Sequence, residues 1–311
     1  MASPEDRKLF VHVKRPAWGA GILSMELDDR REYLFEDGKR RSIQNGFYHM
    51  LEPLSAPDDV FNRIWEQLNA RLDTATTTTT RGRKGKTLTL EQQVSIFREL
   101  FPDGLIEGAY AERHRGQGAA RRVKRHLDAA ITHAQRLLGP APLRARVEKQ
   151  EWAEFMEDFI AVLRGTDLCT PAEVKLVAAL PEARFQPIAE ALLECVDRTE
   201  ESEGREAFTR LVTAADVPGH KGPTWPMIST VLGLVSPSNE VVVKRSTFAA
   251  QAAQFNWSFE ALPDANAYIR LRKMAISLRE RLEAMGLPSV DLLDVTTFIN
   301  MTQRPKNRKL I

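Results

Sequence analysis

The sequence predicts an α+β chain, mostly α, in which a small N-terminal β-barrel is followed by an all-α body. Three observations carry this reading. Between Leu9 and Leu54 the apolar residues fall in short runs separated by Gly and Asp turns, the pattern of brief strands. After Pro57 the apolar spacing lengthens to that of helices. From Thr74 to Lys86 a threonine tract and then RGRKGK hold no apolar side chain larger than Ala75, which marks a linker.

Within the first segment, Phe10, Val11 and Val13 lead to a turn at Gly19 and Gly21. Ile22, Leu23 and Met25 lead to a second turn at Asp28 and Asp29, and Tyr33, Leu34 and Phe35 follow. Glu36-Asp37-Gly38-Lys39 reads as a hairpin turn, with a return strand from Arg41 to Ile43. Four or five strands in about 50 residues must bend into a barrel, because a flat sheet of that size cannot cover its own apolar face. The domains are then a barrel over 1–54, a connecting helix over 55–73, a Thr-rich basic linker over 74–87, a helical body over 88–301 with a subdivision near 217, and a mobile basic tail over 302–311. In the connecting helix Val60, Phe61, Ile64, Trp65, Leu68 and Leu72 form the apolar stripe. In the body, helices are expected over 90–101, 118–138, 143–164, 171–180, 185–198, 204–215, 225–235, 247–255, 266–285 and 290–301, with a brief β-branched run over 240–244. No repeat period emerges.

The 311 residues include two cysteines, Cys169 and Cys195, both in apolar helical pattern. They read as buried thiols in a reducing compartment rather than a disulfide framework. The N-terminal residues show no signal-like apolar run, and no stretch reaches the ~20 apolar residues of a membrane span, so a cytoplasmic protein is expected. The net charge of +2 conceals a strong polarity. Residues 81–146 hold fourteen Lys and Arg against six Asp and Glu, whereas residues 148–216 hold seven against sixteen. A basic stripe of that size is the footprint of phosphate contact. Alternatively, the two segments pair with each other inside one fold.

Catalytic signatures are weak. The Gly19-Ala20-Gly21 pair lacks the third glycine and the following helix of a nucleotide loop, so it reads as a tight turn. His126 and His133 have no companion ligand at metal spacing, and no G-x-S-x-G elbow is present. Glu240 with Lys244 is the nearest approach to a nuclease motif. The stronger signal is basic: Arg113, Arg115, Arg121, Arg122, Lys124 and Arg125 crowd into thirteen residues downstream of RGRKGK. The barrel aromatics Trp18, Tyr33, Phe35, Phe47 and Tyr48 either cage a cation or fill the core, and an exposed Trp18 would anchor a protein partner.

The segment FVHVKRPAWGAGILSMELDDRREYLFEDGKRRSIQ resembles the SH3-like or Tudor-like modules of bacterial transcription and repair proteins, notably CarD-type regulators and the C-terminal module of UvrD-type helicases. The shared features are the Trp18-Gly19-Ala20-Gly21 turn between strands and a strand ending at Phe35 before Asp37-Gly38. The resemblance covers about a sixth of the chain and implies a protein-docking SH3-like barrel that meets RNA polymerase or a helicase. The remainder resembles a bacterial family of unassigned function, with a Trp-Pro element like Trp225-Pro226 ahead of a terminal helix.

The reading that follows is a non-enzymatic, nucleic-acid-associated adaptor of transcription, DNA repair or phage defence, with no cofactor, no metal and no membrane contact. Trp18, Tyr33 and Phe35 would dock the protein partner: RNA polymerase, a helicase or a defence-complex subunit. Arg81, Arg83, Lys84, Lys86, Arg121, Arg122, Lys124 and Arg125 would hold DNA or RNA. The alternatives are a structural subunit without nucleic-acid contact and a cryptic nuclease built around Glu240.

Overall fold

The computed structural model describes residues 8–26, 30–75, 88–117, 126–197, 201–216, 219, 222–255, 257 and 259–311. It is α+β and mostly α, and the chain divides into two compact units, Met1–Thr89 and Leu90–Ile311.

The first unit is a five-stranded antiparallel sheet with one helix. Strands β1 (Leu9–His12), β2 (Ala20–Glu26), β3 (Arg30–Phe35) and β4 (Arg40–Gln44) form a meander, and β5 (Leu51–Pro53) returns to pair with β1. The spatial order is β4-β3-β2-β1-β5. A 3₁₀ segment, Asn45–Met50, joins the two edge strands, and no β4–β5 ladder closes the sheet among the described residues. Alternation sorts the side chains as the two-residue period requires. Leu9, Ile22 and Leu34 stand opposite one another across three strands and share one face. Tyr33, Phe35, Ile43 and Leu51, joined by Phe10, Trp18, Leu23 and Tyr48, share the other. Between Leu23 and Met25 a bulge bends β2, with the Ser24 hydroxyl donating to Glu32 O at 3.0 Å.

Helix α1 (Asp58–Ala75) is more than a connector. Its stripe of Phe61, Ile64, Trp65 and Leu68 covers the Leu9-Ile22-Leu34 face, and Leu68 is fully buried there. Burying one such leucine contributes about 1.5–3 kcal/mol. The helix therefore supplies the second layer that a small sheet needs.

The glycine pair does structural work. Gly19 has φ +73, and a Cβ there would lie 2.6 Å from the Glu36 carboxylate, which accepts the Ala20 N–H. At Gly21 a Cβ would stand 2.8 Å from the Phe35 ring, so the missing side chain lets that ring lie across β2. The expected hairpin turn forms as well: Gly38 N–H donates to Phe35 O, and Asp37 accepts the Lys39 N–H and a two-pronged pair of bonds from Arg41.

The second unit comprises α2 (Leu90–Leu100), α3 (Gly108–Tyr110) running directly into a π-helical turn (Ala111–Arg115), α4 (Leu127–Leu138), α5 (Pro140–Lys149), α6 (Trp152–Arg164) and α7 (Pro171–Ala178). It continues with α8 (Phe185–Asp197), α9 (Glu201–Ala214), α10 (Trp225–Val235), α11 (Arg245–Ala252), α12 (Ala265–Ala284) and α13 (Leu292–Thr302). Helix α10, apolar all round, packs against α4, α6, α7, α8 and α13 in one continuous core. The β-branched run at 240–244 is extended but pairs with no strand among the described residues. Val241, Val242 and Val243 are fully buried. Side chains satisfy their backbone instead: Val243 N–H donates to Ser229 Oγ, Tyr268 OH to Val241 O, and Thr296 Oγ1 to Val242 O, at 2.9–3.1 Å.

Three expectations about the body change. The helix expected over 143–164 is two helices, broken at Gln150, whose φ is +57; Arg146 spans the break by pairing with Glu151 and Asp158. The helix expected over 118–138 begins, as far as it is described, at Leu127. The basic tail is docked rather than mobile. Asn307–Leu310 forms a 3₁₀ turn, Asn307 donates to Met301 O at 2.7 Å, and Arg308 bonds Gln303, which donates to Gln251 at 2.7 Å.

Candidate functional site

On the sheet unit, the end of β1, the edge strand β4 and the 3₁₀ segment enclose an open groove of about 880 Å³ lined by His12, Lys14, Arg15, Ser42, Ile43, Gln44, Phe47 and Met50. None of its lining residues is acidic. Lys14 and Arg15 are exposed, and Phe47 keeps 54% of its surface in solvent, an unusual fraction for a phenyl ring. Val13, which precedes Lys14 in sequence, is 50% exposed. The folding of these residues is local. Val13 N–H donates to Met50 O at 2.9 Å, which ties the end of β1 to the 3₁₀ segment and brings Lys14 and Arg15 to the groove that Phe47 also lines.

His12 also lines the groove. Burial lowers its pKa from the ordinary value, and Arg15, Arg41 and Lys14 push in the same direction. Its Nδ1 accepts the Lys14 N–H at 3.2 Å, which leaves Nε2 as the protonated nitrogen of a neutral ring. The groove thus carries two exposed cations, a neutral donor and an aromatic face.

The three aromatics proposed from sequence as a docking site occupy different positions. Tyr33 and Phe35 are buried, at 1% and 0% exposure, and belong to the apolar cluster of the sheet. Only Trp18 retains surface. Its ring meets His12 edge-on at 4.6 Å and Phe35 at 5.2 Å, while the Arg41 guanidinium lies over it at 4.0 Å. Arg31 similarly sits 4.5 Å over Tyr48. These faces already hold the protein's own cations, so the aromatics fill and brace the sheet rather than forming an empty cage.

The eight basic residues assigned to nucleic acid, Arg81, Arg83, Lys84, Lys86, Arg121, Arg122, Lys124 and Arg125, lie outside the described residues. The other six Lys and Arg of segment 81–146 are described. Arg144 pairs with Asp197, and Arg146 with Glu151 and Asp158, so the end of the basic segment does meet the acidic one. Arg98 donates to Met285 O, Arg136 contacts His133, and Arg113 is exposed.

Arg115 corrects the picture of a uniformly solvated basic run: it is 2% exposed. It projects from the π-helical turn into a carboxylate cluster at the start of α13. Its two terminal nitrogens donate to Asp291 at 2.7 and 2.8 Å, and Nε donates to Asp294 at 2.9 Å. Asp294 also accepts from Tyr110 OH and from Val290 N–H, each at 2.7 Å, while Asp291 caps α13 through Leu293 and Asp294 N–H. Burial opposes the charge on Arg115, but the hydrogen bond to Asp291 and the fields of both aspartates outweigh it and raise its pKa. Burial raises the pKa of Asp294 despite Arg115. The hydroxyl of Tyr110 is held well above its usual range, first by burial and then by Asp294. Every prong of the guanidinium is satisfied within the fold, so this cluster clamps the 108–115 segment onto α13 and leaves no donor for a ligand.

The residues considered for chemistry are similarly placed. Glu240 is buried and pairs with Arg272 at 3.3 Å, without the paired strand that the nuclease reading requires among the described residues. Cys169 and Cys195 are free, buried thiols; burial pushes Cys169 up to about 12, and its Sγ donates to Pro226 O. Among the described residues no group of His, Cys, Asp and Glu is arranged to hold a metal ion, and no helix is long and apolar enough to cross a membrane.

The groove was not anticipated from sequence. Its signal was the KRP step directly after β1 followed, thirty residues later, by an aromatic 3₁₀ segment NGFYHM, two short features that only folding brings together. No family model, curated protein or solved structure matches the chain.

Proposed function

We propose that this chain is a non-enzymatic, nucleic-acid-associated adaptor of the kind that serves bacterial transcription, DNA repair or phage defence. The observation that carries the proposal is the groove on the sheet unit, which combines exposed Lys14 and Arg15 with exposed Phe47 and has no acidic lining. A cationic concavity with exposed apolar surface suits an anionic macromolecule better than a small neutral substrate. The basic runs 81–86 and 121–125 extend the same chemistry.

In this reading the sheet unit is an SH3-like barrel. Two features support that assignment: the edge strands are joined by a 3₁₀ segment, and one apolar cluster draws Phe10, Leu23, Tyr33, Phe35, Ile43 and Leu51 from all five strands. The part of Trp18 left uncovered by Arg41 provides the protein-docking contact, with Phe35 meeting its ring edge-on and Tyr33 packed beside Phe35.

The test is a charge-reversed variant of Arg121, Arg122 and Arg125 in the full chain. Loss of oligonucleotide binding with an unchanged unfolding transition is expected; unchanged affinity overturns the nucleic-acid half. A second reading, a structural subunit with no nucleic-acid contact, draws on the Arg144–Asp197 and Arg146–Asp158 pairs, which consume basic charge internally. Salt-insensitive co-purification with a single protein would favour it.

A further inference from the structure

We infer that the groove of the sheet unit is a seat for single-stranded nucleic acid, in which a base stacks on Phe47 while the flanking phosphates meet Lys14 and Arg15. The inference rests on the nucleic-acid reading above and deepens it by naming the strand state and the residues.

Four observations converge on it. First, Phe47 is held on a 3₁₀ segment rather than in the core, with its ring exposed and a second exposed ring, His49, at 27° to it and 6.5 Å away. Flat aromatic faces beside a cationic track are the general apparatus for unpaired bases, since every base has a π-face and no sequence code is needed. Second, the two cations are adjacent in the chain and line the same groove as Phe47, so they can meet the backbone of a strand whose base lies on the ring. Third, the size is compatible. About 880 Å³ is the scale of a pocket for a small ligand, enough for one or two nucleotides. Fourth, His12 and Gln44 add hydrogen-bonding groups able to meet a base edge, with the His12 Nε2–H as a donor.

An acidic peptide would satisfy Lys14 and Arg15 equally well. It would leave the flat face of Phe47 without a planar partner, so the observations favour the strand.

The experiment uses the full-length protein and three labelled probes: a 12-nucleotide oligothymidylate, a 30-base-pair duplex and a poly-glutamate peptide. Two variants accompany the wild type, Phe47→Ala and the double change Lys14→Glu with Arg15→Glu; all altered side chains are exposed, and circular dichroism verifies folding. Phe47→Ala is expected to weaken oligothymidylate binding about 5- to 150-fold, the range for loss of one stacked base. Phe47→Tyr should retain affinity. The charge reversal should lower the slope of log affinity against log salt by about 1.4, the release expected from two single-strand phosphates.

If oligothymidylate binds but neither groove variant changes it, while reversal of Arg121, Arg122 and Arg125 abolishes it, the groove assignment is overturned and the adaptor reading stands. If the groove variants weaken duplex and single strand equally, the single-strand preference is overturned. If only poly-glutamate binds the groove, the site belongs to an acidic protein partner and the inference fails. Absence of binding to either nucleic acid at low salt overturns both this inference and the nucleic-acid reading.

Discussion

Replacing Arg115 with alanine tests the account of the helical body most severely. The change removes the cation that sits between Asp291 and Asp294, two carboxyl groups exposed by only 5% and 0%. A buried charge left without its partner costs about 3–5 kcal/mol, because the carboxylates then face desolvation alone. That is a large part of the ~5–15 kcal/mol by which a domain is stable. With a urea dependence of about 3 kcal/mol per molar, the unfolding midpoint should fall by roughly 1–1.7 M.

The pH dependence distinguishes charge from packing. The folded pKa of Asp294 already lies above its unfolded value, so its stabilising proton uptake is fully present below the unfolded value and is lost as pH rises through the folded one. Arg115 works against that rise, so its removal carries the folded pKa higher still. The deficit of the variant should therefore be smaller near pH 4.5 than at pH 7. Urea titrations followed by circular dichroism at both pH values measure it. A midpoint shift below about 0.3 M at pH 7, or one of equal size at both pH values, would refute the reasoning.

Two further outcomes follow from the same geometry. Gly21→Ala places a methyl 2.8 Å from the Phe35 ring and should destabilise the sheet unit by about 1–3 kcal/mol, read as a lowered thermal midpoint for the sheet unit; an unchanged midpoint would show that the ring moves freely. Cys169, pushed up to about 12 by burial, should resist a thiol reagent at pH 8 in the native protein, as should buried Cys195; both should react in denaturant, and rapid native labelling would contradict their burial.

The elements were most legible where periodicity and turn chemistry agreed. Val60 to Leu68 announced α1, the apolar pattern from Pro171 announced α7, and Asp37-Gly38 announced the hairpin. What periodicity could not show was which partner an element meets. The stripe of α1 looked like that of a connector, yet it completes the sheet. Segment 240–244 had a strand's composition, but its backbone bonds go to side chains from α10, α12 and α13. Gln150 breaks a helix without glycine or proline, so no local signal marked it. Arg115 illustrates the limit most clearly. In sequence it is one arginine among several, and only the distant pair Asp291 and Asp294 makes it a buried anchor. Likewise Phe47 reads in sequence as one of five aromatics that either cage a cation or fill the core, and its exposure becomes visible only once Tyr33 and Phe35 have filled the interior.

The most direct test of the nucleic-acid assignment is equilibrium binding of the full chain to a labelled single strand and its duplex at 50 and 200 mM salt. If the basic runs neutralise six or more phosphates, affinity should fall by about a thousandfold or more across that range for the duplex, and less steeply for the single strand. Absence of binding to either at 50 mM salt would contradict the account.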